Sequence, residues 1–338
     1  MPVIISIPQS ESSTAQFIHL ITLVYIGGPV MVVGVVLSLL TLFLFWYDSH
    51  TFISTRFTLS AIAIVDVGYL AFMFAFWTVR RAFPSDHPTT IALTHPTTYA
   101  ILFYGANVFE LYRNWLLLVM TIERFVFFYK PVKFKIIWNL TRVRIIVICV
   151  GLASMFLRIP VIIYVVASKN EPEDCEVAKI AKMTHILTDM LALTSLPLIL
   201  MLFFSFLTTK TVMQVMHSDF SDLEKEIAIV NARTSARILK ILRTTLSVFI
   251  ITSAPAIPAT FLNVYLVFKD INGTRLNVAS AALNSVANLA SVVSSSSNFF
   301  VYIFQSRRYR GIFKKCLQGR SCRLGQSALS SGGGLDFH

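Results

Sequence analysis

The chain has 338 residues, of which 55% are hydrophobic and only 14% charged, with a mean hydropathy of +0.70. A single soluble domain needs a polar surface that this composition does not supply, so lipid is expected to cover much of the molecule. The formal charge of +12 would suit a nucleic-acid partner only if Lys and Arg gathered on a water-facing surface; here they lie between long apolar runs, which excludes that partner.

Residues 1–16 read as a short outer N-terminal segment. They lack a basic start, and the apolar run at 17–46 is too long for a removable signal core, so it is expected to remain as a spanning helix. Further runs follow at 57–79, 99–128, 143–167, 180–212, 238–268 and 277–304, each reaching the roughly twenty residues that cross a bilayer core. Lipid offers backbone groups no partner, so every run is predicted to be helical, with Pro29, Pro160, Pro197, Pro255 and Pro258 marking kinks. The predicted fold class is all-α, a seven-transmembrane helix bundle over 17–304. From 321 to 338 the sequence, which includes Ser330-Ser331-Gly332-Gly333-Gly334, reads as a disordered tail.

With the N-terminus outside, the inner segments hold 20 Lys and Arg and the outer segments 7. Basic residues favour the cytoplasmic side, so the C-terminus is expected in the cytoplasm and the protein in the plasma membrane. Of two glycosylation sequons, Asn272-Gly273-Thr274 falls in an outer loop and Asn139-Leu140-Thr141 in an inner one, so Asn272 is the expected glycan site. Cys149, Cys175, Cys316 and Cys322 have no metal-ligand spacing, and no metal or cofactor is expected. Cys316, following Lys314-Lys315, is a candidate for palmitoylation.

Charge inside a span is costly and marks function by default. Asp66, Glu110, Arg113, Arg158 and Asp189 are such residues, with Glu123 and Arg124 at an inner boundary. Arg113 precedes Arg124 by eleven residues, three helical turns, so both project from one face about 16 Å apart. Glu110 lies one turn further out and competes with Asp66 as the partner of Arg113. For Asp189 the alternatives are a ligand contact or a pair with Arg158. On the seventh run Asn284, Asn288, Ser291, Ser295, Asn298 and Tyr302 recur every three or four residues, a polar stripe that must face protein or water.

These residues fall into an ordered set of motifs. Thr121-Ile122-Glu123-Arg124-Phe125 with Pro131 resembles the Asp/Glu-Arg-Tyr motif and loop proline of rhodopsin-like (class A) G-protein-coupled receptors. Leu59-Ser60-Ala61-Ile62-Ala63-Ile64-Val65-Asp66 is similar to their second-helix signature, and Asn298-Phe299-Phe300-Val301-Tyr302 to Asn-Pro-x-x-Tyr with phenylalanine at the proline position. Tyr309-Arg310-Gly311-Ile312-Phe313 resembles the start of the family's short amphipathic eighth helix, placed at 305–320. Phe249, six before Pro255, also falls at a family position. Arg113-Asn114-Trp115-Leu116 and Leu157-Arg158-Ile159-Pro160 are similar to segments of invertebrate and nematode FMRFamide-type peptide receptors and serpentine chemoreceptors.

The resemblance implies a receptor, not an enzyme, that binds an extracellular ligand and activates a heterotrimeric G protein. It implies activation and coupling roles for Asp66, Arg113, Glu123, Arg124, Phe249, Pro255, Asn298 and Tyr302. Glu110, Asp189, Asn284 and Asn288, in the outer halves of their spans, are the candidate ligand contacts. A neuropeptide is the expected ligand, since acids suit a basic peptide group; a small chemosensory molecule is the alternative. A transporter would show internal repeats, and none is visible. Departures include Gly34-Val35 where Gly-Asn is expected, no Trp before Pro255, and no cysteine near Tyr99, which leaves Cys175 without the family's usual bridge. In many relatives the aspartate at Asp66 helps hold sodium, and Arg113 is expected to fill that place with its own charge.

Overall fold

Every described element is helical. A computed structural model of the chain describes residues 17–48, 52–79, 95–130, 133–170, 176–217, 244, 246–269, 274–305 and 307–317. Asn272, Cys175 and the side chain of Cys316 lie outside the described residues, as do 1–16 and the tail. The first and second helices are Phe17–Tyr47 and Ile53–Val79, and the third is Pro96–Tyr129. The fourth runs through Leu140–Leu157 and Ile159–Asn170, and the fifth through Glu176–Thr188, Asp189–Ser195 and Leu196–His217. The sixth comprises 246–253 and Ala256–Lys269, the seventh Thr274–Gln305, and the eighth Arg307–Leu317.

Six of these are long and apolar enough to cross a membrane. The third spans 34 residues and carries Glu110, Arg113, Glu123 and Arg124, and packs against the second, fourth and fifth helices. Together they form a seven-helix transmembrane bundle. Its polarity is that of a lipid-solvated protein: Asp66, Asn107, Arg113, Arg158, Asn284 and Ser295 are buried, while Ile145, Ile148, Leu152 and Phe156 lie exposed along the fourth helix.

The prolines account for most of the irregular turns. Proline lacks an N–H and its ring crowds the carbonyl four residues back, so the preceding turn must widen or break. A wide π-type turn at Leu20–Ile26 precedes Pro29, and another at Asp189–Ser195 precedes Pro197. The fourth helix breaks at Arg158 before Pro160, and the sixth at Ala254–Pro255. Carbonyls released by Pro197 are taken by the third helix: Asn114 Nδ2 donates to Leu193 O and Trp115 Nε1 to Ala192 O, both at 3.0 Å. A third wide turn, Phe74–Val79, contains no proline.

Gly34 marks the closest approach of the first helix to its neighbours. A Cβ there would lie 2.2 Å from Ser296 Oγ and 2.8 Å from Leu70 Cδ1, so only glycine fits between the second and seventh helices. At the inner end a one-turn helix, Phe134–Ile137, anchors the loop after the third span, with Phe134 buried against Phe52 and Phe127. Asn139 caps the fourth helix, its side chain accepting from Arg142 N at 2.9 Å. The eighth helix buries Tyr309, whose hydroxyl donates to Asp48 Oδ2 at 3.1 Å, and leaves Arg310 and Lys314 exposed.

Candidate functional site

Polar side chains of the second, third and seventh helices meet in layers along the bundle axis. In the middle layer Arg113 Nε lies 2.8 Å from Asp66 Oδ1, and Arg113 Nη2 donates to Ser294 Oγ at 2.7 Å. Asn298 Nδ2 donates to Asp66 Oδ2 at 2.6 Å. One ion pair with two added hydrogen bonds therefore ties three helices where water is excluded, which is how a buried charge pair is made tolerable. Both carboxylate oxygens of Asp66 are engaged by the chain's own donors, so these residues do not fit a sodium ion.

Toward the inner end, Glu123 is fully buried and accepts a hydrogen bond from Thr55 Oγ1, joining the third helix to the second. Arg124 beside it is half-buried. Tyr302 is buried one turn inward from Asn298, its ring edge-on to Phe45 at 5.2 Å, and Phe45 in turn meets Tyr309 at 5.6 Å. Phe249 joins the same core cluster, together with Met201 and Leu116. Pro255, two turns outward from Phe249, sits at the break of the sixth helix.

In the outer half, Ser291 stands beside both the Glu110 carboxylate and the Tyr69 hydroxyl. Tyr69 Oη, Asn107 Oδ1 and Asn288 Nδ2 are buried there without a hydrogen-bond partner among the described residues. Asn284 belongs to a network: Asn263 Nδ2 donates to its Oδ1 at 3.0 Å, and Ser280 Oγ donates to Asn263 Oδ1 at 2.5 Å. Asp189 accepts from Arg158 Nη1, and its other oxygen lies 3.7 Å from His185 Nε2. The ends of the first, second and seventh helices meet where His19 Nδ1 lies 2.5 Å from Ser285 Oγ and stacks on Trp77.

The structure thus brings Asp66, Arg113 and Asn298 into one node and Asp189 to Arg158, while Glu110 goes to Ser291 rather than to Arg113. Sequence reasoning did not single out Ser294, Thr55, Tyr69, Asn107, Asn263 or His185. Tyr69 and Asn107 each lie one turn from an ionisable residue already identified, Asp66 and Glu110, and that spacing could have found them. His185 likewise lies one turn from Asp189, whereas the partnership of Thr55 with Glu123 joins helices far apart in sequence, which no local spacing reveals. Among the described residues no group of three His, Cys, Asp or Glu side chains is placed to hold a metal.

No curated protein matches the chain. The sequence profile of the 7 transmembrane receptor (rhodopsin family) matches residues 37–302. That range takes in the Asp66 node, the Glu123-Arg124 pair, the sixth-helix break and Tyr302. It runs through more than half of the chain, from the inner part of the first helix to Tyr302 in the seventh, so the chain belongs to the rhodopsin family of seven-transmembrane receptors.

Proposed function

We propose that this receptor binds an extracellular peptide bearing a basic group and answers it by activating a heterotrimeric G protein. The observation that carries the proposal is the Asp66–Arg113–Asn298–Ser294 node, a single set of charge-assisted contacts across three helices directly beneath the candidate ligand residues. Such a node has discrete arrangements, so a ligand that binds one of them better shifts the population of the whole bundle. In this reading Glu123 and Arg124 form the inner latch, Tyr302 packs it against the eighth helix, and the sixth helix swings at Pro255 about Phe249. Glu110, Asn284 and Asn288 line the ligand face, and Asp189, joined to Arg158, braces its wall. The carboxylate of Glu110 in that face favours a basic peptide over a neutral odorant, and the resemblance to FMRFamide-type receptors points the same way.

Arg124→Ala is expected to reach the cell surface at near wild-type abundance and to lose G-protein activation, because an arginine facing the inner mouth is needed for partner contact. The readout is a promiscuous G-protein assay on cells challenged with short amidated peptides. Full signalling by the variant at equal surface abundance defeats the coupling proposal.

We further propose a plasma-membrane location with the N-terminus outside and a cytoplasmic C-terminus, supported by the excess of Lys and Arg in the inner segments. Glycosidase digestion is expected to shift the wild-type protein and not Asn272→Gln. Asn139, the exposed cap of the fourth helix, is expected to carry no glycan, and glycan found there reverses the orientation.

A further inference from the structure

Among the described residues, the outer half of the bundle holds more buried carboxylates than it has cations in ion pairs with them. Two carboxylates are buried there, Glu110 on the third helix and Asp189 on the fifth, and one arginine, Arg158, stands with them. Arg158 is committed to Asp189 by a hydrogen-bonded ion pair, and His185 faces the other Asp189 oxygen. Arg113, the cation nearest to Glu110 in sequence, is turned one layer inward to Asp66. Glu110 is 6% exposed and has no ion-pair partner among the described residues. An isolated buried carboxylate is expensive, and a protein keeps one where something else supplies the countercharge.

The surroundings of Glu110 point to what supplies it. Helical periodicity places Tyr69 one turn outward from Asp66, Glu110 one turn outward from Arg113, and Ser291 one turn outward from Ser294, so the three form the layer above the node. Asn107 and Asn288 lie a further turn out on the third and seventh helices. Tyr69 Oη, Asn107 Oδ1 and Asn288 Nδ2 are buried and unpartnered in these layers. Two of those atoms, the Tyr69 and Asn107 oxygens, accept hydrogen bonds, as the Glu110 carboxylate does; an ammonium or guanidinium has only donors to give.

We propose that Glu110, ringed by Tyr69, Asn107 and Asn288, receives a compact, singly charged cationic group of the ligand, an ammonium or a guanidinium. This rests on reading the outer half of the bundle as the ligand face and narrows it: Asp189 is spoken for, so one positive charge is taken, not two.

The test is thermal melting of the purified full-length receptor in lipid nanodiscs. Without ligand, Glu110→Gln keeps the side-chain shape and removes the uncompensated charge, so it is expected to melt higher than wild type. A lower melting temperature reveals a structural partner for the carboxylate and overturns the proposal. With probes, benzylammonium or phenylguanidinium is expected to raise the wild-type melting temperature and benzyl alcohol is not. In Glu110→Gln the cation concentration for the same rise should increase at least about tenfold. Absence of protection by both cations, equal protection by benzyl alcohol, or undiminished protection in Glu110→Gln overturns it. Tyr69→Phe, which deletes only the hydroxyl beside Ser291, serves as the second variant: it is expected to melt no lower than wild type and to bind the cations more weakly, and the opposite result on either count also overturns the site. Neither arm uses a G protein, so failure here leaves the coupling proposal standing, and the Arg124→Ala assay does not bear on the cation.

Discussion

Arg113→Ser and Asp66→Asn are each expected to destabilise the receptor by about 3–5 kcal/mol, and the two changes together by less than either one alone. Both side chains are almost fully enclosed, so removing one partner strands the other's charge in a medium that cannot solvate it. Asp66→Asn leaves the Arg113 guanidinium with neutral acceptors only, Ser294 Oγ and the new amide oxygen. Arg113→Ser leaves the Asp66 carboxylate with neutral donors only, Asn298 Nδ2 and the neighbouring Ser295 hydroxyl. The double change removes both charges and leaves small polar groups that bond one another. Surface abundance and thermal inactivation of the four proteins make a complete cycle, and additive effects mean that Asp66 and Arg113 do not depend on each other. The same occupancy predicts that ligand affinity of the wild type is unchanged when potassium replaces sodium at constant ionic strength. A sodium response in the wild type contradicts the pair as described.

The pairing of Arg113 with Asp66 was legible in the sequence because it follows from depth. Two ionisable residues inside lipid must find each other, and the motif register of the second and third helices sets them at one level. The count of seven spans was legible for a similar reason, since each apolar run is long enough to cross a bilayer and too long for anything else. Helix ends were less so. The third helix runs from Pro96 and the seventh from Thr274, a turn or so beyond the apolar stretches, because backbone hydrogen bonding continues where hydrophobicity stops. The inner start of the sixth run, at 238–245, falls almost wholly outside the described residues.

Where a proline perturbs a helix can be read from sequence; how the helix responds cannot. Pro29 and Pro197 follow widened turns, whereas Pro160 and Pro255 stand at breaks. At Pro197 the difference lies in a remote donor, since Asn114 and Trp115 on the third helix take the carbonyls that the proline leaves free. The candidate ligand residues divide along the same line. Spacing put Glu110, Asn284 and Asn288 on interior faces, yet it could not show that Asn284 is absorbed into a network with Asn263 and Ser280 while Asn288 Nδ2 is left without a partner. Nor could it separate Glu110 from Asp189. Both are outer-half acids, and only the packing of the fourth helix against the fifth assigns the single local arginine to one of them.

That assignment makes the two ends of the Arg158–Asp189 pair unequal. Arg158→Met is expected to cost about 3–5 kcal/mol, because it strands Asp189 and leaves two buried carboxylates, Asp189 and Glu110, repelling each other with no arginine between them. Asp189→Asn is expected to cost less, roughly 1–3 kcal/mol, the loss of one charged hydrogen-bond acceptor. Arg158 then remains beside Glu110, which attracts it already and has no ion-pair partner among the described residues. The double change Arg158→Met with Asp189→Asn should recover part of the Arg158→Met loss by removing one of the two repelling charges. Melting temperatures of the three variants in nanodiscs give the order directly, and a larger loss for Asp189→Asn than for Arg158→Met sinks the unequal-pair account. The order has a consequence for binding: once Asp189 is neutral, Arg158 supplies the charge that Glu110 otherwise takes from the ligand. Asp189→Asn should therefore weaken protection by benzylammonium even though Asp189 itself is bound to Arg158 and not to the cation.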